Sequence, residues 1–463
     1  MILRIFNKDL PLRNLLFVIG EGVLIYCAVL LASLLRLDSV KNSLLSGEVA
    51  GKALLIMLVC QACLYYNELY DLKVTDTYLE LGLRLTKALG ISSIILAIVY
   101  FCVPSLMIGR GVFFVSLAFL VLLVVPWRYG YNWVLKKKMF AERIMICGSG
   151  NLAQEIIYEI DDRLDCGYQL AGVISNSTPP SSFPREISVF PMNGTLCELA
   201  NQLRVARIIV AMDERRGNLP TEDLLRCKME GIRVMEGETL YEELTGKLYV
   251  DKLNPSWLIF SDGFRRPRMT RFIKRAAGVV LSSTGIVLSL PLLVIIALAI
   301  KLDSKGPVFF GQERCGQDGR TFILLKFRSM VENAEALSGP TWATQDDRRI
   351  TRVGNILRKY RLDELPQMWN VLKGDMSFIG PRPERPEFVK KLSRTLPYYF
   401  ERHTVKPGIT GWAQVSYGYG GSVKETMEKL KYDLFYIKNM SVPIDLMILF
   451  KTAKIILLGR GAR

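Results

Sequence analysis

The 463-residue chain has a mean hydropathy of +0.23 and a formal net charge of +16, from 60 Lys+Arg against 44 Asp+Glu. That length predicts two or three domains, and the charge suits nucleic acid or else anionic lipid and phosphate-rich ligands, of which apolar segments between the basic clusters favour the second. A single histidine, His403, excludes His-rich metal sites, Ser-His-Asp triads and Cys-His nucleophiles, so acid–base chemistry falls to carboxylates, lysine or tyrosine. The nine cysteines are scattered, and Cys27, Cys60, Cys63 and Cys102 fall in apolar stretches, where they read as reduced packing residues. Cys60-Gln-Ala-Cys63 has redox spacing, but it lies in a predicted membrane helix and has no second pair.

The basic N-terminus, MILRIFNKDLPLRN, runs into an apolar stretch with no small-residue cleavage site, so the first helix is expected to be retained. Four apolar segments follow: Leu15–Leu35, Ala53–Leu64 continuing into Tyr65 and Tyr66, Ala88–Met107, and Val112–Pro126. Each is near the ~20 residues a spanning helix needs, which predicts a four-helix transmembrane bundle over residues 1–130. Trp127-Arg128 and then Lys136, Lys137, Lys138 and Arg143 form a basic block expected to stay cytoplasmic, and an even number of spans places Arg4, Lys8 and Arg13 there too. Glu21, inside the first segment, is expected to snorkel, pair with a neighbouring helix or serve a function.

From residue 141 to about 262 the pattern changes to an α/β, Rossmann-like domain with a parallel sheet. Its predicted strands are Arg143–Cys147, Gln169–Ile174, Ala206–Val210 and Gly231–Val234. After the first, Gly148 and Gly150 form a GxGxxA turn, which is either a nucleotide-binding turn or a bare structural one. Where NAD-type domains present an acid for the ribose, this chain has Ser175-Asn176-Ser177. Ser175–Pro184 reads as a surface loop, and the next boundary lies between Lys252 and Arg268.

Ala276–Ile300 is a 25-residue apolar run, but Pro291 lacks an N–H and clashes with the carbonyl of Val287, so a kink or break is predicted there. The pieces would be about 15 and 9 residues, roughly 22 and 14 Å, each short of a ~30 Å hydrocarbon core. Ser282, Ser283, Thr284 and Ser289 offer hydroxyls to loosened backbone groups. With Arg271, Lys274 and Arg275 before the run and Lys301 and Lys305 after it, the expected form is a re-entrant hairpin over 276–300; the alternative is a fifth, kinked span.

Residues 268–463 are predicted to form a mainly α catalytic domain. Adjacent Asp363 and Glu364 are bracketed by Arg358 and Arg361 and followed by Arg382 between two prolines. A carboxylate can attack phosphorus or hold Mg²⁺, while guanidinium groups neutralise charge on phosphoryl oxygens. The last helix-like stretch, Ser441–Gly459, either lies in the membrane interface or packs on the domain.

From Lys274 onward the chain resembles the bacterial sugar transferases, the polyprenyl-phosphate hexose-1-phosphate transferases that start exopolysaccharide and O-antigen synthesis. The motifs that carry the resemblance are KLDSKGPVFFGQERCG, LLKFRSM, LDELPQMWNVLKGDMSFIGPRPERPEF and VKPGITGWAQV, in that order. The upstream layout, four membrane helices and a Rossmann-like domain, is similar to the large members of that family. The resemblance implies that Asp363 is the nucleophile that takes the phosphosugar and expels UMP, and that Glu364, beside it, helps hold Mg²⁺ and the diphosphate. It places phosphate-contacting cations at Lys326, Arg358 and Arg382 and the helix-breaking proline of a re-entrant anchor at Pro291. Arg361 departs from the family pattern, in which small hydroxyl residues are common two positions before the acidic pair. The implied partners are a UDP-sugar donor, an undecaprenyl phosphate acceptor and membrane lipid, at the cytoplasmic face of an inner membrane; a homodimer is also compatible. Two other readings are weaker. A membrane-tethered nucleotide-sugar dehydratase or epimerase needs a YxxxK pair, and none of the 19 tyrosines has lysine four residues on. A non-enzymatic assembly protein leaves the ordered acid and arginine motifs unexplained.

Overall fold

The structure is a computed structural model, described here for residues 2–5, 8–36, 47–70, 78–163, 165–176, 187–192, 196–215, 217–250, 263–264, 267–332, 347, 349–418 and 422–457. Most of the predicted loop after Ser175 and of the stretch between Lys252 and Arg268 lies outside these residues. The chain divides into two compact units, Met1–Thr245 and Gly246–Arg463.

The first unit opens with an antiparallel hairpin, β1 (Ile2–Ile5) and β2 (Lys8–Pro11). Four long helices follow: α1 (Leu12–Arg36), α2 (Glu48–Tyr66), α3 (Tyr78–Cys102) and α4 (Arg110–Lys136). All four are long and apolar enough to cross a membrane. Their shared core is aliphatic and small, with Ile25, Ala28, Val29, Ala53, Ile56, Leu89, Leu96 and Val124 buried, while Leu16, Ile19, Leu58, Ile98 and Phe114 point outward. Outward apolar residues of this density are what a lipid-facing surface requires. The pairing expected of Glu21 in the sequence reading is present, and its partner is a residue of the basic block. Arg128, assigned there to the cytoplasmic basic block, is buried in α4 and grips Glu21 with two hydrogen bonds, Nε to Oε1 at 2.6 Å and Nη2 to Oε2 at 2.9 Å. Its Nη1 donates to the Leu69 carbonyl at 2.8 Å.

The remainder of this unit alternates strand and helix: β3 (Glu142–Cys147), α5 (Asn151–Asp162), β4 (Tyr168–Ile174), β5 (Val189–Phe190), α6 (Leu196–Gln202), β6 (Arg207–Val210), α7 (Thr221–Met229), β7 (Arg233–Glu236) and α8 (Gly237–Thr245). The five strands are parallel in the order β5-β4-β3-β6-β7, and strand order reverses beside β3. The central strands read as apolar runs because both faces are covered, as in Ile144 to Cys147, which are fully buried. The predicted strands match to within two residues; β5 is too short to give a period and was not predicted.

The second unit begins with α9 (Arg268–Asp303), a 36-residue helix, about 54 Å long at 1.5 Å per residue. Of the expected kink or break at Pro291, a break into two helices is not seen: α9 continues through the proline, and it is a fifth helix long and apolar enough to cross a membrane. The Ser289 hydroxyl donates to Gly285 O at 2.6 Å, one turn back rather than to the carbonyl of Val287, which Pro291 deprives of its donor. What holds the helix past the proline is packing on both sides of it. Gly285 faces the Met368 sulfur, and Leu293, Ile296 and Ile300 pack with Phe327 and Leu357. At its start, Lys274 pairs with Asp445 at 2.6 Å and Arg275 donates to the Val371 and Leu372 carbonyls. At its end, Asp303 accepts from the N–H of Val353 at 3.0 Å. The catalytic unit therefore touches α9 near its beginning, middle and end. The opposite face, with Val287, Leu288, Leu290, Ile295 and Leu298, is exposed and apolar.

Beyond α9 come the antiparallel strands β8 (Phe309–Cys315) and β9 (Thr321–Phe327), paired from Phe309 with Phe327 to Cys315 with Thr321. Next are α10 (Arg352–Lys359), a 3-10 turn at Leu362–Glu364, α11 (Gln367–Lys373), β10 (Ser377–Ile379), α12 (Pro386–Thr395), a 3-10 turn at Tyr399–Thr404, β11 (Gly408–Thr410), α13 (Trp412–Ser416), α14 (Val423–Lys438) and α15 (Val442–Leu457). Strands β10 and β11 are parallel and pair Ser377 with Gly408. The core gathers Trp412, Tyr399, Leu434, Phe435 and Tyr436, together with Leu248 and Val250. Of the two forms expected for the last helix, packing on the domain is seen, since Ile444 and Ile448 of α15 enter this core. Leu446 and Phe450 on its other face remain exposed.

Candidate active site

The acidic pair sits on the 3-10 turn after α10. The chain enters it through Arg361 in the left-handed region, φ 55°, unusual for a residue with a Cβ. Leu362 and Leu365, on either side of the acids, pack against the cluster of Ile296, Ile300, Phe327 and Leu357. The Leu-Asp-Glu-Leu pattern thus pins the turn by its apolar ends and leaves the two carboxylates to the site.

Two of the three predicted cations converge there. Lys326, from β9, brings Nζ to 3.3 Å from Glu364 Oε1, and Arg382 Nη2 donates to the same oxygen at 2.6 Å. Arg358, from α10, is placed differently. Its Nε donates to the Ser329 hydroxyl at 2.9 Å, and it acts on Asp363 through its charge. Ser329 was not singled out from the sequence, where a serine ending a strand motif carries no sign of an arginine partner 29 residues on.

The surroundings set the two carboxylates apart. Burial works against the Glu364 charge, but Arg382 and Lys326 outweigh it and hold this carboxyl far below its usual range. Burial pushes the Asp363 carboxyl up, and Lys326 and Arg358 offset this only in part. Lys326 is itself pushed down by burial, a tendency that Glu364 opposes. Among the described residues no donor bonds to Asp363, so Glu364 organises the cations while the oxygen lone pairs of Asp363 are uncommitted.

A divalent cation of the Mg²⁺ type would find carboxylate oxygens here, among the described residues, only on Asp363 and Glu364, with Glu364 Oε1 already taken by Lys326 and Arg382. No group of three or more His, Cys, Asp or Glu converges among the described residues, so Asp363 and Glu364 would supply few ligands. Substrate phosphate oxygens and water would have to supply the rest, the usual manner of Mg²⁺ in phosphoryl transfer.

The predicted glycines of the Rossmann-like turn are explained by the chain's own packing. Gly148 has φ +119°, and a Cβ there would lie 2.5 Å from the Ala211 carbonyl oxygen. At Gly150 a Cβ would lie 2.5 Å from the carboxylate carbon of Asp213, which rests on the first turn of α5. Ser175, at the position of the absent acid, shares a 2.8 Å hydrogen bond with Ser149.

Residues 269–459 match the family model described as bacterial sugar transferase. The chain is 40% identical over 352 residues to a UDP-galactose-lipid carrier transferase of Erwinia amylovora, covering 71% of this chain and 70% of that protein. It is also 46% identical over 241 residues to a UDP-N-acetylgalactosamine-undecaprenyl-phosphate N-acetylgalactosaminephosphotransferase of Aeromonas hydrophila (52% of this chain, 56% of the relative). With a UDP-glucose:undecaprenyl-phosphate glucose-1-phosphate transferase of Escherichia coli (strain K12) it shares 46% identity over 190 residues, 40% of each chain. The chain thus spans about half the length of these last two relatives, at 56% and 40%. It belongs to the bacterial sugar transferase family.

Proposed function

We propose that the protein transfers a hexose-1-phosphate from a UDP-sugar to undecaprenyl phosphate, as the first step of exopolysaccharide synthesis. An oxygen of Asp363 attacks the phosphorus that carries the sugar, the bond to the UMP phosphate oxygen breaks, and UMP leaves with that electron pair. An oxygen of the lipid phosphate then attacks the same phosphorus, the aspartyl oxygen leaves, and a lipid-linked diphosphate sugar forms. Lys326, Arg382 and, by its charge, Arg358 stabilise negative charge on the transferring group. Bound Mg²⁺ would supply further neutralisation of the donor diphosphate. The observation that carries this reading is the asymmetry of the acidic pair: Glu364 takes up Lys326 and Arg382, and Asp363 stands beside them without a donor among the described residues.

The acceptor's location asks for a site at a membrane face. Helix α9 is read as the anchor that provides it, bending at Pro291 so that it dips into one leaflet of the inner membrane and returns both ends to the cytoplasmic side. The contacts of one catalytic unit with both ends of α9 support that placement. UMP release from UDP-glucose, UDP-galactose and N-acetylated donors, measured with membranes carrying the protein, tests the reaction and sorts the donors. Asp363→Ala is expected to abolish it, and normal turnover in that variant removes the proposed nucleophile.

A further inference from the structure

Arg382 reaches Glu364 from a stretch of backbone whose polar groups are bonded residue after residue. Gly380 N–H donates to Thr410 O at 2.9 Å, and Pro381 O accepts from Gly408 N–H at 2.9 Å. Arg382 O accepts from Arg402 Nη2 at 2.9 Å, Pro383 O from Arg314 Nη1 at 3.1 Å, and Glu384 O from Cys315 N–H at 2.9 Å. Pro381 and Pro383 have no N–H, so their carbonyls are the only backbone hydrogen-bonding groups they offer.

Arg402 is the anchor at Arg382 itself, and it is buried, with 7% of its surface exposed. Its Nε and Nη2 both donate to Asp433 Oδ2, at 3.2 and 2.8 Å, and Nη1 donates to the Tyr399 hydroxyl at 3.0 Å. The second hydrogen of Nη2 is the one given to the Arg382 carbonyl. The planar fork thereby ties α14, the 3-10 turn and the Arg382 segment at fixed angles, which an ammonium group does not reproduce. An apolar pair of similar volume generally stabilises a core as well as a buried ion pair does. Stability alone therefore gives no reason for this one, whereas fixing the backbone under Arg382 does.

We propose that Arg402, held by Asp433, is a positioning residue for the transfer: it touches no substrate and fixes the backbone from which Arg382 reaches Glu364 and the phosphoryl oxygens. The inference rests on the reaction proposed above, in which Arg382 acts on the transferring group. Displacement of a catalytic group by about 1 Å can cost on the order of a hundredfold in rate.

The test uses the full-length protein in membranes. Arg402→Lys keeps a charge against Asp433 but loses the fork, and the double change Arg402→Met with Asp433→Leu removes both charges together, so that neither is left buried alone. Both are expected to lower kcat for UMP release roughly ten- to a hundredfold, with KM for the UDP-sugar changed much less. The decisive measurement repeats Arg402→Lys in an Arg382→Gln background. If Arg402 acts through Arg382, the second change adds little to the first; independent effects multiply. Multiplying effects, or an Arg402→Lys enzyme with normal kcat while Arg382→Gln is impaired, overturn the positioning role and leave the proposed reaction standing. Normal turnover in Arg382→Gln overturns both the positioning role and the assignment of Arg382.

Discussion

Asp363 and Glu364 are neighbours in sequence, yet their surroundings assign them opposite charge preferences. Glu364 stays ionised well into acid because two cations share its Oε1. In the proposed reaction Asp363 must lose its proton to attack, and burial raises the pH at which it does so. The acid limb of UMP release is therefore expected above the ordinary aspartate value near 3.8. In the proposed reaction Lys326 acts as a cation, and its pKa is lowered from 10.5, so activity should fall on the alkaline side below that value. A profile of kcat/KM between about pH 4 and pH 10 checks both limbs. Lys326→Met should lower the plateau and remove the alkaline limb; an unchanged alkaline limb assigns it to another group. His403 is buried in the 3-10 turn at Tyr399–Thr404. Burial first, then Arg402, pushes it down to about 4, and its Nδ1 lies 3.2 Å from the Phe400 carbonyl oxygen. The adjacent acids and the arginines around them were legible as residue types. Which carboxylate takes the cations was not, because it depends on Lys326 and Arg382, 38 and 18 residues from Glu364, folding onto one oxygen.

At the scale of elements, the apolar runs marked the first four of the five helices that are long and apolar enough to cross a membrane, but misplaced their ends. Helix α3 starts at Tyr78, ten residues before Ala88, because Glu80, Arg84 and Lys87 interrupt the apolar composition without interrupting the helix. Helix α4 continues through Pro126 to Lys136 and carries Arg128 into the bundle. A basic residue beside a basic block reads as cytoplasmic, and nothing local shows that Glu21, 107 residues earlier, will claim it. Helix α9 is the converse case. The proline rule is local and predicted a kink or a break; the helix continues through Pro291, with Met368 packed before the proline and Phe327 and Leu357 after it. The Glu21–Arg128 pair gives a direct test of how the bundle is held. Arg128→Met leaves Glu21 buried without its partner and should destabilise the bundle by about 3–5 kcal/mol. Adding Glu21→Leu should restore most of the loss, short of the share due to the Leu69 carbonyl. Unfolding midpoints of the purified protein in detergent report both; a double variant no more stable than Arg128→Met alone would count against a charge-pair origin.

At the scale of the molecule, the division into units is set by contacts that no local pattern announces. Prolines and arginines between Lys252 and Arg268 marked a plausible boundary, but the compact unit begins at Gly246. Leu248 and Val250 show no strand or helix period, and their partners are far along the chain. The Leu248 N–H donates to Lys431 O at 3.1 Å, and the Gly246 carbonyl accepts from Trp412 Nε1, 166 residues away, at 2.9 Å. A fragment of residues 246–463 therefore keeps its core intact, whereas one beginning at Arg268 loses two buried aliphatic side chains and the partner of a buried indole N–H. Each aliphatic contributes about 1.5–3 kcal/mol on burial, and an unsatisfied buried donor costs about 1–3 kcal/mol. That loss is comparable with the whole stability of an ordinary domain, about 5–15 kcal/mol. Expressed in membranes, the longer fragment should be recovered folded and release UMP from its UDP-sugar, and the shorter one should be proteolysed or aggregate. Equal yield and thermal stability of the two fragments would show that residues 246–250 do not belong to the catalytic core.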